Sequence, residues 1–121
     1  MLYQVLALLL VHYVADFLFQ SHWMAQNKSK DNRALGAHVM VYWTCLSLAG
    51  PFIFPGTAVR LGVSWCILNG VMHFATDWVT SRWTSRLWAE QRWHDFFAAV
   101  GLDQLIHYST LLLTARLLGL L

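Results

Sequence analysis

The chain has 121 residues, of which 58% are hydrophobic and only 12% charged. Soluble domains carry roughly 45–50% and about 25%, so a lipid solvent explains this composition better than water does. The net charge of +2 is too small to mark a nucleic-acid binder.

A membrane-spanning helix takes ~20 mostly apolar residues, and four stretches qualify, at about 2–23, 34–54, 57–80 and 96–121. They predict an all-α fold: a single integral-membrane domain built as a four-helix transmembrane bundle. The first stretch opens MLYQVLALLLVHYVADFLFQ. It lacks a positive leading region and a small-residue cleavage site, and it carries His12 and Asp16, so it reads as a retained span. The polar link QNKSKDNR follows, then the second span, then GPFIFPGT, whose Pro and Gly predict a tight turn. The third link, RWTSRLWAEQRWHD, sets Trp83, Leu87 and Trp88 against Arg82, Arg86 and Glu90. That pattern predicts a separate short amphipathic helix lying at the membrane interface. Cys45 and Cys66 lie in apolar stretches without C-x-x-C spacing and read as buried thiols. Trp43 and Trp65 read as packing residues.

Four spans put both termini on one side. Lys28, Lys30, Arg33, Arg82, Arg86 and Arg92 then gather on the other side, with only Arg60 and Arg116 opposite. The positive-inside rule places the cationic side in the cytoplasm and both termini outside. Trp23, Trp78, Trp83, Trp88 and Trp93 fall near that same face, as an interfacial aromatic belt would. The expected location is a bacterial inner (cytoplasmic) membrane, crossed several times.

Three acids sit inside spans: Asp16, Asp77 and Asp103. Each costs about 2.5–3.5 kcal/mol near a helix centre, on the order of 8–10 kcal/mol together, so something must offset them. Each has a histidine four residues away: His12-x-x-x-Asp16, His73-x-x-x-Asp77 and, reversed, Asp103-x-x-x-His107. That spacing puts both side chains of a pair on one helix face. The reversal falls on an antiparallel span, so all three aspartates come to one depth and all three histidines to another. At ~1.5 Å per residue the two layers lie about 6 Å apart, with His38 near the aspartate layer.

Imidazole and carboxylate are ligands of zinc, manganese and iron. The metal-ligand candidates are His12, Asp16, His38, His73, Asp77, Asp103 and His107, with zinc first and manganese or iron next. His12, His73 and His107 would bind one ion, and Asp16, Asp77 and Asp103 would complete or bridge it, one of them serving as general base. Seven candidates exceed one tetrahedral shell, which raises a two-metal site. Lys28 and Lys30, at the mouth, would meet an anionic headgroup, although setting the topology explains them as well. Gln20 and Gln104 extend the polar face as substrate contacts or as helix–helix hydrogen bonds. Asn69 reads as a helix–helix bond, and His22 and His94 as solvated. No G-x-S-x-G, Gly-rich phosphate loop or Cys/His pair offers other catalytic machinery.

HYVADFLFQSHWMAQNKSK, followed by His38, HFATD and DQLIH, resembles a family of small bacterial and phage inner-membrane proteins, catalogued as a domain of unknown function. The family pattern is H-x-x-x-D-F-x-x-Q, an N-K-[ST]-K stretch, a histidine on the second helix, H-x-x-x-D and D-Q-x-x-H. The resemblance covers nearly the whole chain. It implies His12, Asp16, Gln20, Lys28, His38, His73, Asp77, Asp103, Gln104 and His107 as signature positions and supplies no activity. A weaker similarity, in histidine and aspartate content on membrane helices, is to small membrane proteins labelled metal-dependent hydrolases.

The sequence therefore predicts a membrane-embedded metal-dependent hydrolase acting on a lipid-like or phosphate-bearing substrate. Its other expected partners are membrane lipid and a second copy of the chain in a homodimer, with no nucleic acid. Two other readings use the same residues. One is a metal-ion or proton transporter, disfavoured because the ionisable groups lie in one half of the bundle. The other is a non-catalytic membrane interaction protein in which the polar pairs only specify helix packing.

Overall fold

The computed structural model describes residues 1–121 and is all-helical. Five α-helices follow one another: α1 (Leu2–Tyr13), α2 (His22–Asn27), α3 (Asn32–Ile53), α4 (Val59–Ala89) and α5 (Trp93–Leu117), with a π-helical turn at Val14–Leu18 closing α1. The four longer helices pack in a ring, α1 on α3, α3 on α4, α4 on α5 and α5 on α1. Contact register gives their directions. Asp16 meets His38 while His12 meets Tyr42; Thr80 meets Asp103 while Asn69 meets Thr114. Neighbours in the ring are therefore antiparallel.

The predicted first span stops short. After the π turn the chain bends at Phe19–Ser21, and the Ser21 hydroxyl accepts the Met24 amide at 3.2 Å, capping α2. Asp31 caps α3 in the same way through the Arg33 amide (2.8 Å). Pro51 lies inside α3 rather than in the predicted turn, which falls at Phe54–Ala58 with Gly56 at φ +80°. The predicted interfacial helix is not a separate element. α4 runs unbroken through Trp83, Leu87 and Trp88 for 31 residues, and the link to α5 shrinks to Glu90–Arg92.

That link is a Schellman turn. The Arg92 amide donates to Leu87 O and the Gln91 amide to Trp88 O, with Gln91 at φ +57°. Arg92 and Asp95 pair just beyond it at 2.7 Å, and the guanidinium holds the Asp95 carboxyl below its usual range. The end of α5 repeats the turn with a glycine, Gly119, at φ +70°.

The interior has two halves. One is apolar, with Leu8, Tyr42, Leu46, Trp65, Leu111 and Ala115 in a single cluster. The other holds the buried polar residues His12, Asp16, His38, His73, Asp77 and His107. Cys66 belongs to the apolar cluster, Cys45 packs beside it, and both are free thiols. Trp43 packs on Gly70 where α3 crosses α4.

A left-handed backbone costs a residue with a Cβ about 1–2 kcal/mol, which glycine avoids. Gln91→Gly is expected to raise the melting midpoint of the purified protein, by a stabilisation on the order of 0.5–1 kcal/mol. An unchanged or lower midpoint would show that Gln91 does not hold this conformation in solution.

A candidate metal centre of histidines and aspartates

α1 delivers His12 and, through the π turn, Asp16. The wider turn keeps Ala15 and Asp16 buried together, and no sequence signal announces it. α3 delivers His38, α4 delivers His73 and Asp77, and α5 delivers Asp103, Gln104 and His107. All but Asp103 and Gln104 are buried; the Asp103 side chain is 16% exposed.

The predicted layers interleave. His38 Nε2 lies 3.0 Å from Asp16 Oδ1 and 3.2 Å from Asp77 Oδ2. His73 Nε2 lies 3.3 Å from Asp16 Oδ1, 3.8 Å from Asp77 Oδ2 and 3.1 Å from His38 Nε2. These four atoms form one group within 4.8 Å of one another. On the far side of the same carboxylate, Asp77 Oδ1 lies 2.9 Å from His107 Nε2, which is 3.4 Å from Asp103 Oδ1. Asp77, Asp103 and His107 make a second group. Asp77 belongs to both groups, one oxygen to each.

The first group has the dimensions of a metal shell. Ligand bonds of ~2.0–2.2 Å in a tetrahedron put the ligand atoms about 3.3–3.6 Å apart. Five of the six separations are given above and run from 3.0 to 3.8 Å. Three of its contacts make poor hydrogen bonds. Asp16 Oδ1 is buried between two imidazoles yet accepts no well-aligned bond from either. The Nε2–Nε2 contact between His38 and His73 can use only one proton. The outer Nδ1 atoms of His38 and His73 have no protein partner.

His12 stands outside both groups, unlike the predicted set of three histidines on one ion. Gln104 explains this. Its amide NH₂ donates to Asp16 Oδ2 and Asp103 Oδ2, each at 3.0 Å, so its Oε1 faces His12 Nε2 at 3.0 Å. Nε2 of His12 therefore carries the proton, and Nδ1 lies 3.5 Å from the Tyr42 hydroxyl. Both nitrogens are committed to protein partners. Gln104 itself is a brace between α1 and α5.

Lys28, on the link after α2, enters the site: its Nζ lies 2.8 Å from Asp77 Oδ2 and 3.5 Å from His38 Nε2, with the side chain 19% exposed. Lys30 is exposed at the rim. A cavity of about 430 Å³ opens onto this end, reached by Asp16, Asp77, Asp103, Gln20 and Lys28. His22 and His94 are exposed, and Asn69 bonds Thr114 across α4 and α5.

Three contributors lie outside the predicted set. The Thr80 hydroxyl donates to Asp103 Oδ1 at 2.6 Å. Tyr42 stacks on the His73 ring at 3.9 Å between centroids, and Tyr108 meets His12 edge-on at 4.8 Å. Thr80 follows Asp77 by three positions and Tyr42 follows His38 by four, so helical spacing was the signal that pointed to both.

The family model described as "Protein of unknown function (DUF3307)" matches residues 5–120. The chain belongs to the DUF3307 family. Every residue of the cluster lies inside the stretch matched to DUF3307, and the sequence-level resemblance to an uncharacterised family is met. No curated protein and no solved structure matches this DUF3307 chain.

Thr80→Val keeps the shape and removes the hydroxyl that donates to Asp103 Oδ1. It is expected to cost about 0.5–1.5 kcal/mol, the net contribution of one hydrogen bond at a half-buried acceptor. Denaturation in detergent checks this, and a change under a few tenths of a kcal/mol would mean that water serves Asp103 equally well.

Proposed function

We propose that the chain is a multi-pass integral membrane protein whose His/Asp centre binds divalent metal and hydrolyses a lipid-like or phosphate-bearing substrate. The observation that carries the metal is Asp77, which divides its two oxygens between two ligand groups as a bridging carboxylate would. Charge supports it. Asp16, Asp77 and Asp103 against Lys28 leave two negative charges in a buried site when the imidazoles are neutral, and one divalent ion cancels them. Asp16, His38, His73 and Asp77 would hold the first ion; Asp77, Asp103 and His107 would hold a second. Zinc suits this donor set, ahead of manganese or iron. The chemistry such ions supply is polarisation of a phosphoryl or acyl group and water made acidic near neutral pH.

The protein's own part follows from the cavity. Asp103 is the most exposed of the three acids and is held by Thr80 and Gln104. It is placed to take the proton of an attacking water and to return it to the departing oxygen as the bond to that oxygen breaks. Phe17, Trp88, Phe96 and Phe97 line the cavity beside the polar groups, a pairing that suits an apolar chain bearing a polar head.

The membrane reading rests on α3 and α5, which are long and apolar enough to cross a bilayer. Core helices of soluble proteins pass the same test when buried, but only 22% and 17% of these two windows are buried. At 1.5 Å per residue, α4 would reach about 46 Å, so its Arg82–Ala89 end would project beyond a ~30 Å hydrocarbon layer. Trp23, Trp78, Trp83, Trp88 and Trp93 are all about half exposed near that end. The cation distribution supports a bacterial inner membrane with the His/Asp end in the cytoplasm and both termini outside.

One observation favours a second reading, a proton or metal-ion transporter. Two protonated imidazoles would cancel the same two charges without metal, because each carboxylate already has a histidine within 3.4 Å. The apolar half of the interior offers such a path no carboxylate, imidazole or amine.

Elemental analysis of the detergent-purified protein is expected to find one or two zinc, manganese or iron ions per chain, stripped by chelator and restored on addition. A double variant, His73→Ala with Asp77→Ala, should bind none. Metal-free protein that resists reconstitution would leave only the proton-transporter and helix-packing readings standing. For topology, Ser85→Cys in a Cys45→Ala, Cys66→Ala background should react with a membrane-impermeant maleimide in inverted vesicles and not in intact cells. The opposite pattern would reverse the orientation.

A further inference from the structure

Lys28 holds a place that the proposed ion also needs. Its ammonium contacts Asp77 Oδ2 at 2.8 Å and approaches His38 Nε2 at 3.5 Å, and both atoms belong to the first ligand group. Asp77 Oδ1 is already turned to His107, so Oδ2 alone must serve Lys28, His38 and His73. An ammonium and a divalent ion sharing that oxygen would repel each other across a few ångströms in a buried site. Lys28 has somewhere else to go. It lies on the short link between α2 and α3, on a four-carbon stem, and it lines the open cavity.

The cavity is equipped for what a released ammonium would bind. Ser81 Oγ and Gln20 Oε1 line it, both buried and both without a hydrogen-bond partner. The neighbouring threonine hydroxyls are occupied, Thr80 on Asp103 and Thr84 on its own helix carbonyls. Ser81 therefore retains an unused donor in the wall of the cavity that Lys28 also lines. An unused hydroxyl, a displaceable ammonium and an amide acceptor suit a protonatable oxyanion such as a phosphoryl group.

Resting on the metal-centre reading, we infer that Lys28 is a tethered cation that holds Asp77 until a divalent ion displaces it into the cavity, where its ammonium binds the phosphoryl group of the substrate. Metal and anion then bind cooperatively, because each favours the same displaced position of Lys28.

The test titrates Co(II) by its visible absorption into chelator-stripped full-length protein in detergent. Titrations run alone, with inorganic phosphate, and in micelles doped with phosphatidic acid. In the wild type, one or both phosphate sources should tighten Co(II) binding by on the order of tenfold, within the usual range of coupling. Coupling by inorganic phosphate identifies a free phosphate site, and coupling by the doped micelles alone a lipid headgroup. Lys28→Met should bind Co(II) more tightly than wild type with no anion present and should lose the coupling. Lys28→Arg keeps the charge and should remain weaker than Lys28→Met, which separates competition from a folding defect. Equal Co(II) affinity in wild type and Lys28→Met, or coupling that survives in Lys28→Met, overturns the inference and leaves the metal centre intact. No Co(II) binding in any of the proteins overturns both.

Discussion

Asp77 is 2% exposed, and a carboxylate so placed must have each oxygen compensated or the helices around it will not close. Its two oxygens collect groups from three directions. Lys28 comes from the link after α2, His38 from α3 and His107 from α5, with His73 one turn away on its own helix. Through His38 and His73 the network reaches Asp16 on α1, and through His107 it reaches Asp103. The helix ring is thus tied at one end by charge and at the other by Leu46, Trp65 and Leu111.

On the proposed membrane reading the division has a physical logic. Hydrocarbon gives packed helices little hydrophobic reason to associate, so polar contacts and close backbone approach must contribute. Asn69 with Thr114 and Gly70 against Trp43 would serve that purpose on the α4 faces. The His/Asp end does more than helix pairing requires. Gln104 alone could link α1 to α5, yet three acids and four histidines crowd one end around a cavity open to the mouth. A surplus of buried charge beside an accessible cavity is what separates a site from a brace.

The all-helical class and the meeting of three histidine–aspartate pairs were legible in the sequence, because a four-residue spacing fixes a helix face and a reversed pair fixes an antiparallel partner. Segment boundaries were less so. The predicted break before Trp83 did not occur, since Thr80–Arg86 contains no Pro or Gly to end α4 and amphipathic patterning alone does not stop a helix. Pro51 near a C-terminus likewise read as a turn while lying inside α3.

What the sequence determined by itself was which residues share a helix face, because that follows from helical geometry alone. The two depth layers it predicted interleave in the structure. Which atoms meet was decided only by the tertiary structure. The π turn at Val14–Leu18 sets the aim of Asp16, and Gln104 takes His12 out of the ligand groups by fixing its proton on Nε2. Lys28 comes from a polar link to the centre of the cluster because α2 is capped by Ser21 and folds back on α3. Each of these depends on side chains distant in sequence competing for the same few oxygens, and local periodicity carries no information about who wins.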